Sequence, residues 1–123
     1  MAKLWSRISS AVVLLDADAP DFPEAALAVE EFFRLRGIPM QMKAVHRSSL
    51  VLAGRRAELF ISLLPGKHLQ ADLCARISHA VFKAGRRQLR GEVYDLVVSS
   101  PEGSDYGQKE VFARMTQLMD QIS

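Results

Sequence analysis

The chain has a single cysteine, Cys74, among its 123 residues. One thiol excludes an intramolecular disulfide and any zinc or iron–sulfur cage built from several cysteines, and it suits a reducing compartment. Long apolar runs are missing too. The longest, such as residues 11–15, fall far short of the ~18 residues that a membrane-spanning helix needs. Ser6, Arg7, Ser9 and Ser10 interrupt the amino-terminal stretch before it reaches signal-peptide length. A cytoplasmic address without a membrane partner is the expectation. Glycine is too scattered to build a phosphate-cradling loop of the Walker or dinucleotide type, so Gly54-Arg55-Arg56 and Gly66-Lys67 read as charged turns. No cofactor is implied.

What is present is ordinary in bulk. Hydrophobic residues make up 49% and charged residues 24%, which allows one globular domain over residues 1–123 with one real core. The charge layout is less ordinary. The formal net charge is only +2, yet residues 1–33 carry two cations against six acids and residues 91–123 repeat that imbalance. Between them, residues 34–90 carry twelve cations against only Glu58 and Asp72. Such segregation either builds a basic surface for an anionic partner or lets acidic elements neutralise basic ones within the fold or across a dimer.

Periodicity divides the chain into alternating elements. Ala11-Val-Val-Leu-Leu15 is an unbroken apolar run and predicts a central strand covered on both faces. Asp21-Phe-Pro-Glu24 reads as a helix start, with Asp21 as the cap, Glu24 at the capping-box position and Pro23 in the first turn. The stripe Phe22, Ala25 or Ala26, Val29, and Phe33 or Phe32 continues that helix to Arg36, where Gly37 can take the left-handed cap. From Met40 the period becomes two, a strand. Residues 49–53 and 57–64 are two further β-rich runs, and Gly54-Arg55-Arg56 between them looks like a hairpin turn. Leu69, Leu73, Ile77, Ala80 and Val81 mark the inward stripe of a second helix that Gly85 can close. Residues 93–98 predict another strand. Residues 101–107 form a loop with Ser104 or Asp105 as cap, and Val111, Phe112, Met115, Leu118, Met119 and Ile122 give a final helix. The order β-α-β-β-α-β-α predicts an α+β, ferredoxin-like βαββαβ sheet with an additional C-terminal helix. The alternative is another two-layer α/β sandwich with one extra strand. Both helices on one side of a four-stranded sheet would leave its other face to the third helix or a second subunit, so a homodimer is expected.

Three patterns carry possible chemistry. On the second helix, Arg76, His79 and Lys83 share the predicted outward face, and Arg86, Arg87 and Arg90 extend it. Several cations so placed are anion-binding candidates for a phosphate backbone or a smaller anion. Stacking aromatics are scarce there: Phe60 and Tyr94 are the strand aromatics, and neither sits in a ribonucleoprotein-type motif. The loop Asp16-Ala-Asp18 follows an apolar strand. This Asp-x-Asp resembles the nucleophile motif of haloacid-dehalogenase-type phosphatases, which implies one attacking carboxylate, a second handling the leaving-group proton, and magnesium between them. The resemblance spans about six residues, and the acidic pair those enzymes carry downstream has no counterpart after Val97-Val98-Ser99-Ser100.

Histidines complete the set. His68 and Asp72 stand at i,i+4 and could share a metal, but no third ligand is predicted beside them. In His46-Arg47-Ser48-Ser49 a base stands beside possible nucleophiles in a strand or bend, but where successive side chains alternate faces, adjacency in sequence does not by itself make a working pair. Cys74, beside Leu73 and Ile77, reads as an inert, partly buried side chain, and Met40, Met42, Met115 and Met119 read as core or interface filler. No nucleophile, base and oxyanion donors assemble from these patterns. The favoured reading is a non-catalytic module that oligomerises and binds a protein or small anionic ligand. Alternatives are a polyanion or nucleic-acid binder using residues 76–90, and a small metal-dependent hydrolase using Asp16 and Asp18.

Overall fold

The computed structural model describes residues 3–46, 56–101, 103 and 106–122. Five strands form one all-parallel sheet in the order β2-β1-β3-β4-β5: β1 (Ala11–Asp16), β2 (Met40–Val45), β3 (Leu59–Ser62), β4 (Phe82–Gly85) and β5 (Leu96–Val97). Among the described residues four helices accompany it: α1 (Lys3–Ser6), α2 (Phe22–Arg36), α3 (Leu69–Ile77) and α4 (Gln108–Gln121). The architecture is mixed α/β in three layers.

The unbroken apolar run of β1 sits where its sequence requires, between β2 and β3, with residues Ala11 to Leu15 all buried. Alternation along it divides the core. Ala11, Val13 and Leu15 face α1, α2 and α4, whereas Val12 and Leu14 face α3 and the 86–95 segment. The hand of parallel crossovers explains this division. From β1 through α2 the chain moves outward to β2, and from β3 through α3 it moves the opposite way to β4. Right-handed connections running in opposite directions must lie on opposite faces.

The ferredoxin-like expectation is therefore corrected. It required β2 and β3 to pair as an antiparallel hairpin, but both lie parallel to β1 and on either side of it. The run at 49–53 and the proposed Gly54 turn lie outside the described residues. The second helix is also shorter than predicted. It ends at Ile77, and Phe82–Gly85 is a strand paired with β3. Apolar spacing over so few residues suited a helix and a strand equally well. A two-layer sandwich gives way to three layers because helices lie on both faces of the sheet, with α1, α2 and α4 on one and α3 and residues 86–95 on the other.

Helix ends bear out some details and revise others. Gly37 takes φ 66°, ψ 28° and closes α2 as expected. Asp21 stands at the cap position of α2, but its side chain makes no capping bond there. Its Oδ2 accepts from the Lys109 N–H at 3.1 Å, in the first turn of α4. A Cβ on Gly107 would come within 2.5 Å of that oxygen, so a larger residue there would push the Asp21 carboxylate aside. The Ser104 and Asp105 cap candidates lie outside the described residues, and Gly107 is the cap position observed.

The α3 face holds the largest surprise. Ala71, Cys74 and Ala75 are its buried residues, while Leu69, Leu73 and Ile77, read as inward, are 72%, 56% and 42% exposed. On α4 the core positions Val111, Phe112, Met115 and Met119 are buried as expected, but Leu118 and Ile122 are exposed.

Candidate functional site

In open parallel sheets, ligands bind outside the carboxyl ends of the strands where the chain reverses its direction of travel along the sheet. Here that point lies between β1 and β3. A crevice of about 400 Å³ opens there, lined in part by Asp16, Asp18, His46, Gly66, Lys67 and His68. A larger, shallower depression of about 1210 Å³ lies at the opposite, amino end of the strands, with Arg56 and His79 on its wall. The carboxyl-end crevice is the candidate site because it alone joins the topological position to converging carboxylates, imidazoles and an ammonium group.

Local sequence explains each placement. β1 ends at Asp16, whose Oδ1 accepts the Asp18 N–H at 3.0 Å, a tight turn typical of aspartate. Gln108, fully buried in the first turn of α4, clamps the same spot. Its Oε1 accepts the Asp16 N–H at 2.6 Å and its Nε2 donates to the Asp16 carbonyl at 3.0 Å. The end of β1 is thus held by a residue 92 positions away. Asp18 Oδ1 lies 2.9 Å from His46 Nδ1, just past the end of β2.

His68 ties the crevice's far wall. Its Nδ1 accepts the Ala71 N–H at 3.2 Å and caps α3, so the ring proton of the neutral form sits on Nε2. That nitrogen lies 3.2 Å from the His46 carbonyl oxygen and can donate to it. Both ring nitrogens are used in holding β2's end to α3's start. Lys67 is exposed, and no described residue pairs with its ammonium group.

The sequence-derived candidates fare unevenly. Asp16 and Asp18 share the crevice. His68 and Asp72 do not share a ligand: His68 caps the helix, and Asp72 accepts from Arg87 at 2.7 Å. Among the described residues no group of three or more His, Cys, Asp or Glu is placed to hold a metal ion.

The six anion-binding candidates do not form one helix face, because α3 stops before His79 and Lys83. Lys83 Nζ donates to the Ala75 carbonyl at 2.7 Å. Arg86 is buried, donating to the Tyr106 carbonyl at 2.8 Å and to Ser100 Oγ at 3.2 Å. Arg87 is paired with Asp72, and Arg76 donates to the Arg90 carbonyl at 2.7 Å. His79 sits at the other end of the sheet. Much of the basic block is spent on holding residues 86–95 in place. Arg76 and Arg90 remain exposed on the α3 side.

Sequence reasoning passed over Lys67 and Gln108. Lys67 stood in a turn with no motif around it, and Gln108 gave no signal, since a glutamine that clamps a distant backbone looks like any polar helix residue. The aromatic pair behaves more simply. Phe60 and Tyr94 are both buried, and burial pushes the Tyr94 hydroxyl up to about 12, with a hydrogen bond from Ser62 acting the other way.

Compared with known proteins, the chain matches no protein-family model, no curated protein and no solved structure. No described helix is long and apolar enough to cross a membrane.

Proposed function

We propose that the chain is a non-catalytic α/β binding module whose ligand is a small anionic molecule bearing hydroxyl or amino groups. The carrying observation is the coincidence of the β1/β3 switch point with Asp16, Asp18, His46 and Lys67 around one crevice. Lys67 offers a charge partner for the anionic group, and the amino end of α3 beside it adds partial positive charge. Asp16 and Asp18 would repel a bare anion but accept from a ligand's own donors. A phosphorylated polyol meets both demands. No serine, threonine or cysteine is among the described residues lining the crevice, and Ser48 and Ser49 lie outside the described residues.

Isothermal calorimetry with inorganic phosphate, glycerol 3-phosphate and adenosine monophosphate tests the reading. The hydroxylated phosphates should bind more tightly than phosphate alone, and Lys67→Ala should weaken them about tenfold, or ~1.4 kcal/mol. Absence of binding by all three at millimolar concentration, or affinity untouched by Lys67→Ala, would overturn it.

A further inference from the structure

α3 is amphipathic in the unexpected sense. Its small residues Ala71, Cys74 and Ala75 meet the sheet, and Leu69, Leu73 and Ile77 line the solvent side at i, i+4 and i+8. At ~100° per residue these three span about 80° of the helix surface, a narrow ridge. Val81, just beyond the helix, is also exposed. Single exposed leucines are unremarkable, but an aligned row on one helix marks an interaction surface.

Charge around the ridge selects the partner. Between residues 67 and 90 the only acid is Asp72, and Arg87 already pairs with it. Arg76 lies on the solvent side next to the ridge, and Arg90, whose carbonyl it holds, is exposed beside it. Lys67 precedes the helix at its other end. Two copies of α3 laid together would therefore set cation against cation in either direction. Antiparallel pairing brings Lys67 to Arg76 and Arg90, and parallel pairing brings each to itself. A bilayer is the poorer match, since interfacial helices present a wide apolar face with aromatics, and α3 has a narrow one without any. A row at i±4 spacing fits the groove between rows of another helix.

We infer that the outward face of α3 docks an amphipathic helix of another protein whose apolar ridge is flanked by carboxylates. Leu69, Leu73 and Ile77 would supply the desolvated centre, and Arg76 and Arg90 the rim that favours acidic over basic partners. Leu73, Arg76 and Arg90, on which the test rests, do not line the crevice, so either proposal can fail alone.

The test uses a fluorescein-labelled synthetic helix of about five turns with a leucine ridge flanked by glutamates, and a matched helix flanked by lysines. Anisotropy should show the glutamate helix binding at least tenfold more tightly. Leu73→Asp should cut that affinity tenfold or more without lowering the melting temperature, and Arg76→Glu combined with Arg90→Glu should reverse the preference between the two helices. Equal binding of both helices, or none at millimolar concentration, would overturn the inference. So would binding only to phosphatidylglycerol vesicles, or self-association that Leu73→Asp abolishes, because the occupant would then be a membrane or a second copy.

Discussion

The two faces of this sheet are covered by opposite means. Under α1, α2 and α4 the helices bring the bulk: Trp5, Phe32, Phe33 and Phe112 form a connected set of rings with centroids 5.1 to 6.2 Å apart. Asp120 accepts from Trp5 Nε1 at 2.6 Å, and the Arg36 guanidinium lies over both Trp5 and Phe32, so three helix ends meet at one cluster. Under α3 the helix brings only alanines and a cysteine. The bulk there comes from the sheet and the following segment, with Phe60, Leu64, Leu89 and Tyr94 around it. One face is closed by large residues on helices, the other by small residues that let a helix settle onto large residues below. The second arrangement releases α3's own leucines to the solvent.

Four measurements test this contrast. The largest effect should come from Phe33→Ala, which empties a fully buried ring position and should cost about 3–5 kcal/mol in chemical denaturation. A loss under about 1 kcal/mol would mean that the ring cluster is not the main anchor of its face. On the other face, Tyr94 supplies a pH signature. Its folded-state pKa is raised, so its contribution is complete below about pH 10 and is lost as pH climbs toward 12. The alkaline loss should amount to about 2–3 kcal/mol and be absent in Tyr94→Phe. Matching alkaline profiles for the two proteins would show that Tyr94 is not buried as described.

Gly85→Ala should come next. A Cβ there would stand 2.6 Å from the Tyr94 ring, and the buried ring has little room to retreat, so about 1–3 kcal/mol should be lost through overpacking. Unchanged stability would mean that the ring is not packed on β4. The smallest effect should belong to Leu73→Ser, within about 0.5 kcal/mol of the parent, because that side chain is solvent-facing. A loss like that of Phe33→Ala would show α3 to be turned the other way, and the contrast between the faces would collapse.

The legible parts of the molecule were those where one physical demand dominates. β1 announced itself as central because only a strand buried on both faces tolerates five apolar residues in a row. α2 was readable from Phe22 to Gly37, since its stripe, its proline and its left-handed glycine agree. The α3 region was misread because apolar spacing reports a face and not which way it points. Leucines were assigned inward, and the equally regular Ala71, Cys74 and Ala75 were overlooked as a packing surface. Part of the site was visible in Asp16 and Asp18. Gln108 and Lys67 were not, because what matters in them is proximity to residues remote in sequence.

The central strand, the amphipathic helices α2 and α4 and the uneven charge layout were readable from local pattern or composition. Parallel strand pairing, the ties of Arg86, Arg87 and Lys83 to the protein's own carbonyls and carboxylates, and the outward turn of α3's leucines emerged with the folded chain. Each of those depends on which distant segments meet. Strand pairing, charge neutralisation and helix facing are choices among near-equal local options, and the whole packed chain resolves them together.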